Sequence, residues 1–232
     1  MNLVCIHGNS LSGTIFDDID VKGFNKIVIE LPGHGKTELG SVNSFFDLVQ
    51  YVKEKVEGLS DVVLLGSSLG GHIAHHLLES FAPLGVVTIS APPLNLASAA
   101  EAFLPNPLGH LLFQVDITKD EAHSLAESML TLRKDRTSLL SDLIIATDPK
   151  VRKIIGASFM KGEFLDEKAL LTNFQGMKAF IIPTYDQIIN QQYIKSQNLG
   201  RIFEVKGNHI LTWDNPDAVN LILSGLLAEF RK

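Results

Sequence analysis

Ser68 stands at the centre of Gly66-Ser67-Ser68-Leu69-Gly70, a Gly-x-Ser-x-Gly pattern. Its flanks make it informative. The apolar run Val62-Val63-Leu64-Leu65 reads as a buried strand, and Gly71-His72-Ile73-Ala74 opens a helix. A serine on so sharp a strand-to-helix turn presents its hydroxyl outward. The flanking glycines omit Cβ atoms that would clash in so tight a bend. Ser68 is therefore the candidate nucleophile. Ser67 occupies the variable position of the pattern.

A serine hydroxyl attacks only with a base beside it. His209 fits that role: it follows Val205-Lys206-Gly207-Asn208, in the loop after the last expected strand. That loop shares the sheet edge where Ser68 sits, the edge at which open parallel sheets bind ligands. The imidazole in turn needs a carboxylate to fix its tautomer. Asp186, after the penultimate strand in Pro183-Thr184-Tyr185-Asp186, meets that need. Asp214 and Asp217 are too near His209 in the chain and read as helix-start residues. Attack on a carbonyl builds negative charge on its oxygen, which backbone N–H groups can stabilise. The Leu69 amide, just after the nucleophile, is one candidate oxyanion donor. The Asn9 amide, in His7-Gly8-Asn9-Ser10 after the first strand, is the second.

The other histidines offer less. His72, His75 and His76 share the helix after Ser68. The spacing of His72 and His76 would suit a metal pair, but the sequence shows no third ligand nearby. His34 shapes a turn, and His110 and His123 lie in the middle of the chain. No metal and no cofactor is expected.

These residues must be positioned by a sheet. Apolar runs at 2–6, 26–31, 62–66 and 85–90 read as strands, and 178–182 and 201–205 follow late in the chain. Their continuous rather than alternating apolar character predicts a parallel sheet covered on both faces. Helices lie between: one begins at Ser44-Phe45-Phe46-Asp47, and Asn215-Pro216 opens the last. Between about 92 and 172 no strand is expected. Thr118-Lys119-Asp120-Glu121 reads as a capping box, Asp148-Pro149 as an N-cap with proline behind it, and Asp166 as a third cap. The reading is an α/β fold: a core of residues 1–91 and 173–232, interrupted by a helical cap insertion at 92–172. That insertion carries Leu94, Leu96, Phe103, Leu104, Leu111, Leu112 and Phe113, a few of which are expected to face Ser68.

Composition narrows the class. With 232 residues and 45% hydrophobic content the chain can bury one sizeable core. A net charge of −6, without a basic stripe, gives no reason to expect nucleic acid. No run suits a membrane span or a signal peptide. Cys5 is the single cysteine, in an apolar run, so it reads as a core thiol and no internal disulfide can form. A cytoplasmic protein acting on a small molecule is expected. Nothing in the sequence specifies an oligomeric state.

The motifs together resemble the α/β-hydrolase superfamily. His7-Gly8 after the first strand, Pro32-Gly33-His34-Gly35 after the second and the Ser68 turn carry the likeness. So do Asp186 with Gln187-Ile188-Ile189, and Gly207-Asn208-His209 followed by Asn215-Pro216. The order Ser, Asp, His is kept. The resemblance implies a mostly parallel sheet flanked by helices with a helical cap over the site. It also implies departures: the chain starts at the family's third strand, without the N-terminal hairpin, and Pro183 and Ser67 replace more usual residues. It further implies cleavage of a carboxylic ester or thioester of a small, largely uncharged substrate through an acyl-enzyme. The same three residues could serve a lyase, a C–C bond hydrolase or an acyltransferase. A non-catalytic small-molecule binding protein would keep the pocket alone.

Overall fold

Every expected strand forms in the computed structural model, which describes residues 1–231. In chain order the elements begin with β1 (Asn2–Ile6), β2 (Asn25–Ile29), α1 (Phe45–Val56), β3 (Val62–Ser67), α2 (Leu69–Leu77) and β4 (Gly85–Ile89). The middle of the chain forms α3 (Lys119–Ser128), α4 (Thr137–Ala146), α5 (Pro149–Met160) and α6 (Glu167–Asn173), with short 3₁₀ turns between. Then come β5 (Met177–Pro183), α7 (Gln191–Gln197), β6 (Arg201–Val205), α8 (Leu211–Asp214) and α9 (Pro216–Leu227).

The six strands form one sheet in the order β2-β1-β3-β4-β5-β6, and every neighbouring pair is parallel. All residues of β3 and β4 are buried, as continuous apolar runs require when helices cover both faces. Successive side chains on a strand point to opposite faces. Leu3, Cys5, Val63 and Leu65 accordingly join Val219 and Leu223 of α9 on one side. Val4, Ile6 and Leu64 join Phe45 and Leu48 of α1 and Ile73 of α2 on the other. Burying each such side chain fully is worth ~1.5–3 kcal/mol. Cys5 lies within this packing, and burial pushes its thiol up to about 12, which leaves it protonated and inert.

The helices start where local chemistry satisfies their free amides. Ser44 Oγ accepts the Asp47 N–H while Asp47 Oδ2 accepts the Ser44 N–H, and Thr118 and Glu121 form the same reciprocal pair. Asp148 caps α5 with Pro149 behind it, and Asp166 caps α6. Among the described residues no strand lies between β4 and β5; an isolated bridge joins Phe103 to Ile189. The middle helices pack on the sheet layers: Leu125 of α3 and Leu140 and Ile144 of α4 join one apolar cluster, Val151 and Ile155 of α5 the other. Arg152 fastens α5 in place. Its buried guanidinium donates to the carbonyls of Gln114, Val115, Ile144 and Thr147. No helix among the described residues is long and apolar enough to cross a membrane.

Strand order decides where a site can form. The chain leaves β1 for β2 on one side and then returns to β3 on the other. The loops after β1 and β3 therefore diverge, opening a crevice at their C-terminal ends.

Candidate active site

Ser68 follows β3 and caps the start of α2 with φ 51° and ψ −119°, a conformation L-residues rarely adopt. Such strain costs on the order of 1–3 kcal/mol and persists only where the surroundings enforce it. Here the turn is enforced by contact. A Cβ on Gly70 would lie 2.0 Å from the Ile6 carbonyl oxygen, and one on Gly66 would lie 2.3 Å from the Gly70 carbonyl oxygen. Only glycine lets α2 start so close to β1 and β3. The Ser68 N–H meanwhile donates to the Ile89 carbonyl at 2.8 Å, tying the turn to β4.

The structure brings Ser68, His209 and Asp186 together from three separate loops. Ser68 Oγ lies 3.0 Å from His209 Nε2, and His209 Nδ1 lies 2.7 Å from Asp186 Oδ2. The other Asp186 oxygen accepts the backbone N–H groups of Ile188 and Ile189, so the carboxylate is held at both ends. A carboxylate can only accept, so Nδ1 carries the proton and Nε2 is free to accept from Ser68. His209 is fixed too: its N–H donates to Asn208 Oδ1, and its carbonyl accepts from Ser90 Oγ. Both His209 and Asp186 are buried. Ser67 is fully buried, and its hydroxyl is sealed without a partner.

Asn9 and Leu69 line the same cavity as Ser68. Neither backbone N–H has an acceptor among the described residues, and Leu69, as the first residue of α2, lacks an intrahelical one. The Asn9 side chain donates to the Leu112 carbonyl at 2.6 Å, linking the loop after β1 to the middle region. His34 holds that loop from below. Its Nε2 accepts the Ser10 N–H and its Nδ1–H donates to the Pro32 carbonyl.

The cavity over Ser68 has a volume of about 1000 Å³ and is lined mainly by apolar side chains. Of the apolar residues singled out in the middle region, Leu94, Phe103, Leu104, Leu112 and Phe113 line it. Leu111 is buried in the core instead, and Leu96 faces solvent.

Two sequence readings need correction. The sequence showed no third ligand near the histidines of α2, yet the buried Glu167 carboxylate lies against them. His76 donates from Nδ1 to the His72 carbonyl and accepts the Leu165 N–H at Nε2, so both nitrogens are used. It is His72 and His75 that converge, on the buried carboxylate of Glu167. Asp214 is not a helix-start residue either. It ends α8, buried, and accepts backbone N–H groups from two loops. Capping signals at Asp166 marked the helix that carries Glu167, but only packing shows that the carboxylate turns inward.

No curated protein matches the sequence. Solved structures do share the fold. The N-acyl homoserine lactonase AidH superposes with a TM-score of 0.88 at 22% identity, over 98% of this chain and 90% of its own. An esterase from Exiguobacterium antarcticum gives 0.80 at 14% identity, over 98% and 92%. A bromoperoxidase from Bacillus anthracis gives 0.82 at 17% identity, over 98% and 91%. The sequence itself matches the Alpha/beta hydrolase family over residues 3–220, a span that contains Ser68, Asp186 and His209. With that match and the parallel sheet, the chain belongs to the Alpha/beta hydrolase family.

Proposed function

We propose that this chain is a serine hydrolase that cleaves a carboxylic ester or thioester of a small, largely uncharged substrate through an acyl-enzyme. The observation that carries this reading is the continuous contact from Asp186 through His209 to Ser68, at 2.7 and 3.0 Å, opening on an apolar cavity. Ser68 Oγ attacks the carbonyl carbon as His209 Nε2 takes its proton. The oxyanion is held by the amides of Asn9 and Leu69. The imidazolium then gives the proton to the leaving alcohol or thiol. Water, activated by the same nitrogen, releases the acid and restores Ser68.

The cavity supports the substrate class. Its wall is mainly apolar, so a charged acyl group would lose hydration without return, whereas an alkyl or aryl group would not. A lactone is an internal ester and enters the same chemistry. One structural neighbour is named for a lactone substrate, so a lactone belongs in any test panel.

The test is labelling with a fluorophosphonate probe, followed by hydrolysis of p-nitrophenyl esters of graded chain length and of a lactone. Stoichiometric labelling at Ser68 with turnover of at least one ester is expected. A protein that neither reacts with the probe nor turns over any panel member would overturn the reading.

A further inference from the structure

His72 lies four residues, just over one turn of α2, beyond Ser68, about 6 Å along the axis. Its ring is held by Glu167. Oε1 accepts the His72 Nδ1–H at 3.0 Å, while Oε2 accepts the His75 Nδ1–H at 2.8 Å and the Leu94 N–H at 3.1 Å. Burial alone would raise the pKa of Glu167. The imidazoles of His72 and His75 outweigh it and hold the carboxyl well below the usual range. Glu167 is thus an acceptor only, and both rings keep their protons at Nδ1.

The far edges of the two rings differ. His75 Nε2 is sealed in the core without a partner. His72 Nε2 likewise has no hydrogen-bond partner among the described residues, but it is not among the sealed atoms. The residue is 5% exposed, and it forms part of the wall of the Ser68 cavity. Phe103 and Phe159, also in that wall, lie against its ring with centroids 6.4 and 5.8 Å away. When neutral, with its proton held at Nδ1 by Glu167, the His72 imidazole presents Nε2 as a bare acceptor. An acceptor in an apolar wall is unfavourable unless water or a ligand meets it.

We propose that His72 Nε2 is a specificity site that accepts a hydrogen bond from a hydroxyl group on the substrate, so that the preferred esters carry a hydroxyl a few bonds from the scissile carbonyl. Glu167 is its positioning residue: it fixes the tautomer and the ring plane. This rests on the hydrolytic reading above and narrows its substrate class.

Two matched pairs locate the hydroxyl. p-Nitrophenyl hexanoate against its 3-hydroxy counterpart tests the acyl side. Ethyl hexanoate against 2-hydroxyethyl hexanoate tests the alcohol side. The wild type should favour the hydroxylated member of one pair by about tenfold in kcat/KM, the worth of one good hydrogen bond. His72→Asn keeps a donor for Glu167 where Nδ1 stood but removes Nε2, and should bring that ratio near one. His72→Gln, which restores a polar group near the Nε2 position, should recover part of the preference. Nitrogen NMR of the wild-type His72 ring should show a shift at Nε2 with 3-hydroxyhexanoate or ethylene glycol, according to the preferred pair, and none with hexanoate. This arm needs neither a folded variant nor turnover. Absence of ester turnover with a retained Nε2 shift would overturn the hydrolytic reading alone. Turnover with a ratio near one in both wild-type pairs, or a preference that survives in His72→Asn, would overturn the role of His72.

Discussion

Asp214 Oδ2 accepts the backbone N–H of Asn208 at 2.7 Å, one residue ahead of His209. Oδ1 of the same carboxylate accepts the N–H groups of Thr131, Leu132 and Arg133 at 3.0, 2.6 and 2.9 Å. A single buried group thus binds the loop that carries His209 to the turn after α3. Asn208 adds to the link by donating to the Ser128 carbonyl. Asp214→Ala leaves four backbone donors in this region without their acceptor. It should cost about 3 kcal/mol or more, seen as a lower urea midpoint, and it should depress kcat by loosening His209. Asp214→Asn, with one accepting oxygen left, should fall between. Unchanged midpoints would show that other contacts position the loop.

Ser68→Ala should abolish labelling by the fluorophosphonate probe and reduce ester turnover by on the order of 10⁶-fold. Ser67→Ala removes only a sealed hydroxyl without a partner and should stay within a few-fold of wild type. The reverse pattern would move the nucleophile to Ser67.

Stability should fall on acidification well before the carboxylates titrate. Burial, reinforced by the nearness of His7, pushes the His34 imidazole down to about 3. In the unfolded chain a histidine titrates near ~6.5. Between these values the unfolded state binds the extra proton. The contribution of neutral His34 is therefore fully present above ~6.5 and is lost progressively as pH falls toward about 3. His76, also lowered chiefly by burial, acts in the same direction. Urea midpoints at neutral pH and at acidic pH should differ less in His34→Gln than in wild type. An equal slope in both would remove His34 as the cause.

Chain-length selectivity should respond to Phe113, which lines the cavity beside α5. Phe113→Ala enlarges the cavity and should shift kcat/KM toward longer acyl groups by about tenfold. Gly156→Ala should do the opposite, since a Cβ there would come within 2.9 Å of the Phe113 Cβ and push the ring inward. Identical chain-length profiles in wild type and both variants would show that Phe113 does not touch the acyl group.

The parallel sheet and the places of Ser68, Asp186 and His209 were legible in the chain because each is announced locally. An apolar run followed by a glycine or proline turn marks the end of a strand, and all three residues follow such ends. Parallel strands then bring those ends to one edge. Caps were legible for the same reason, since Ser44 and Asp47, or Thr118 and Glu121, satisfy each other within a single turn. Glu167 and Asp214 carry no such local mark. Glu167 meets His72 across 95 residues, and Asp214 meets Leu132 across 82. A carboxylate on a short helix reads from its neighbours as a solvated surface group. Only when α6 packs against α2, and the loop after β6 against the turn after α3, are these two carboxylates enclosed with donors from distant parts of the chain. Local sequence therefore determined where Ser68, Asp186 and His209 fall along the chain, while the packing of those helices decided which distant polar groups meet Glu167 and Asp214.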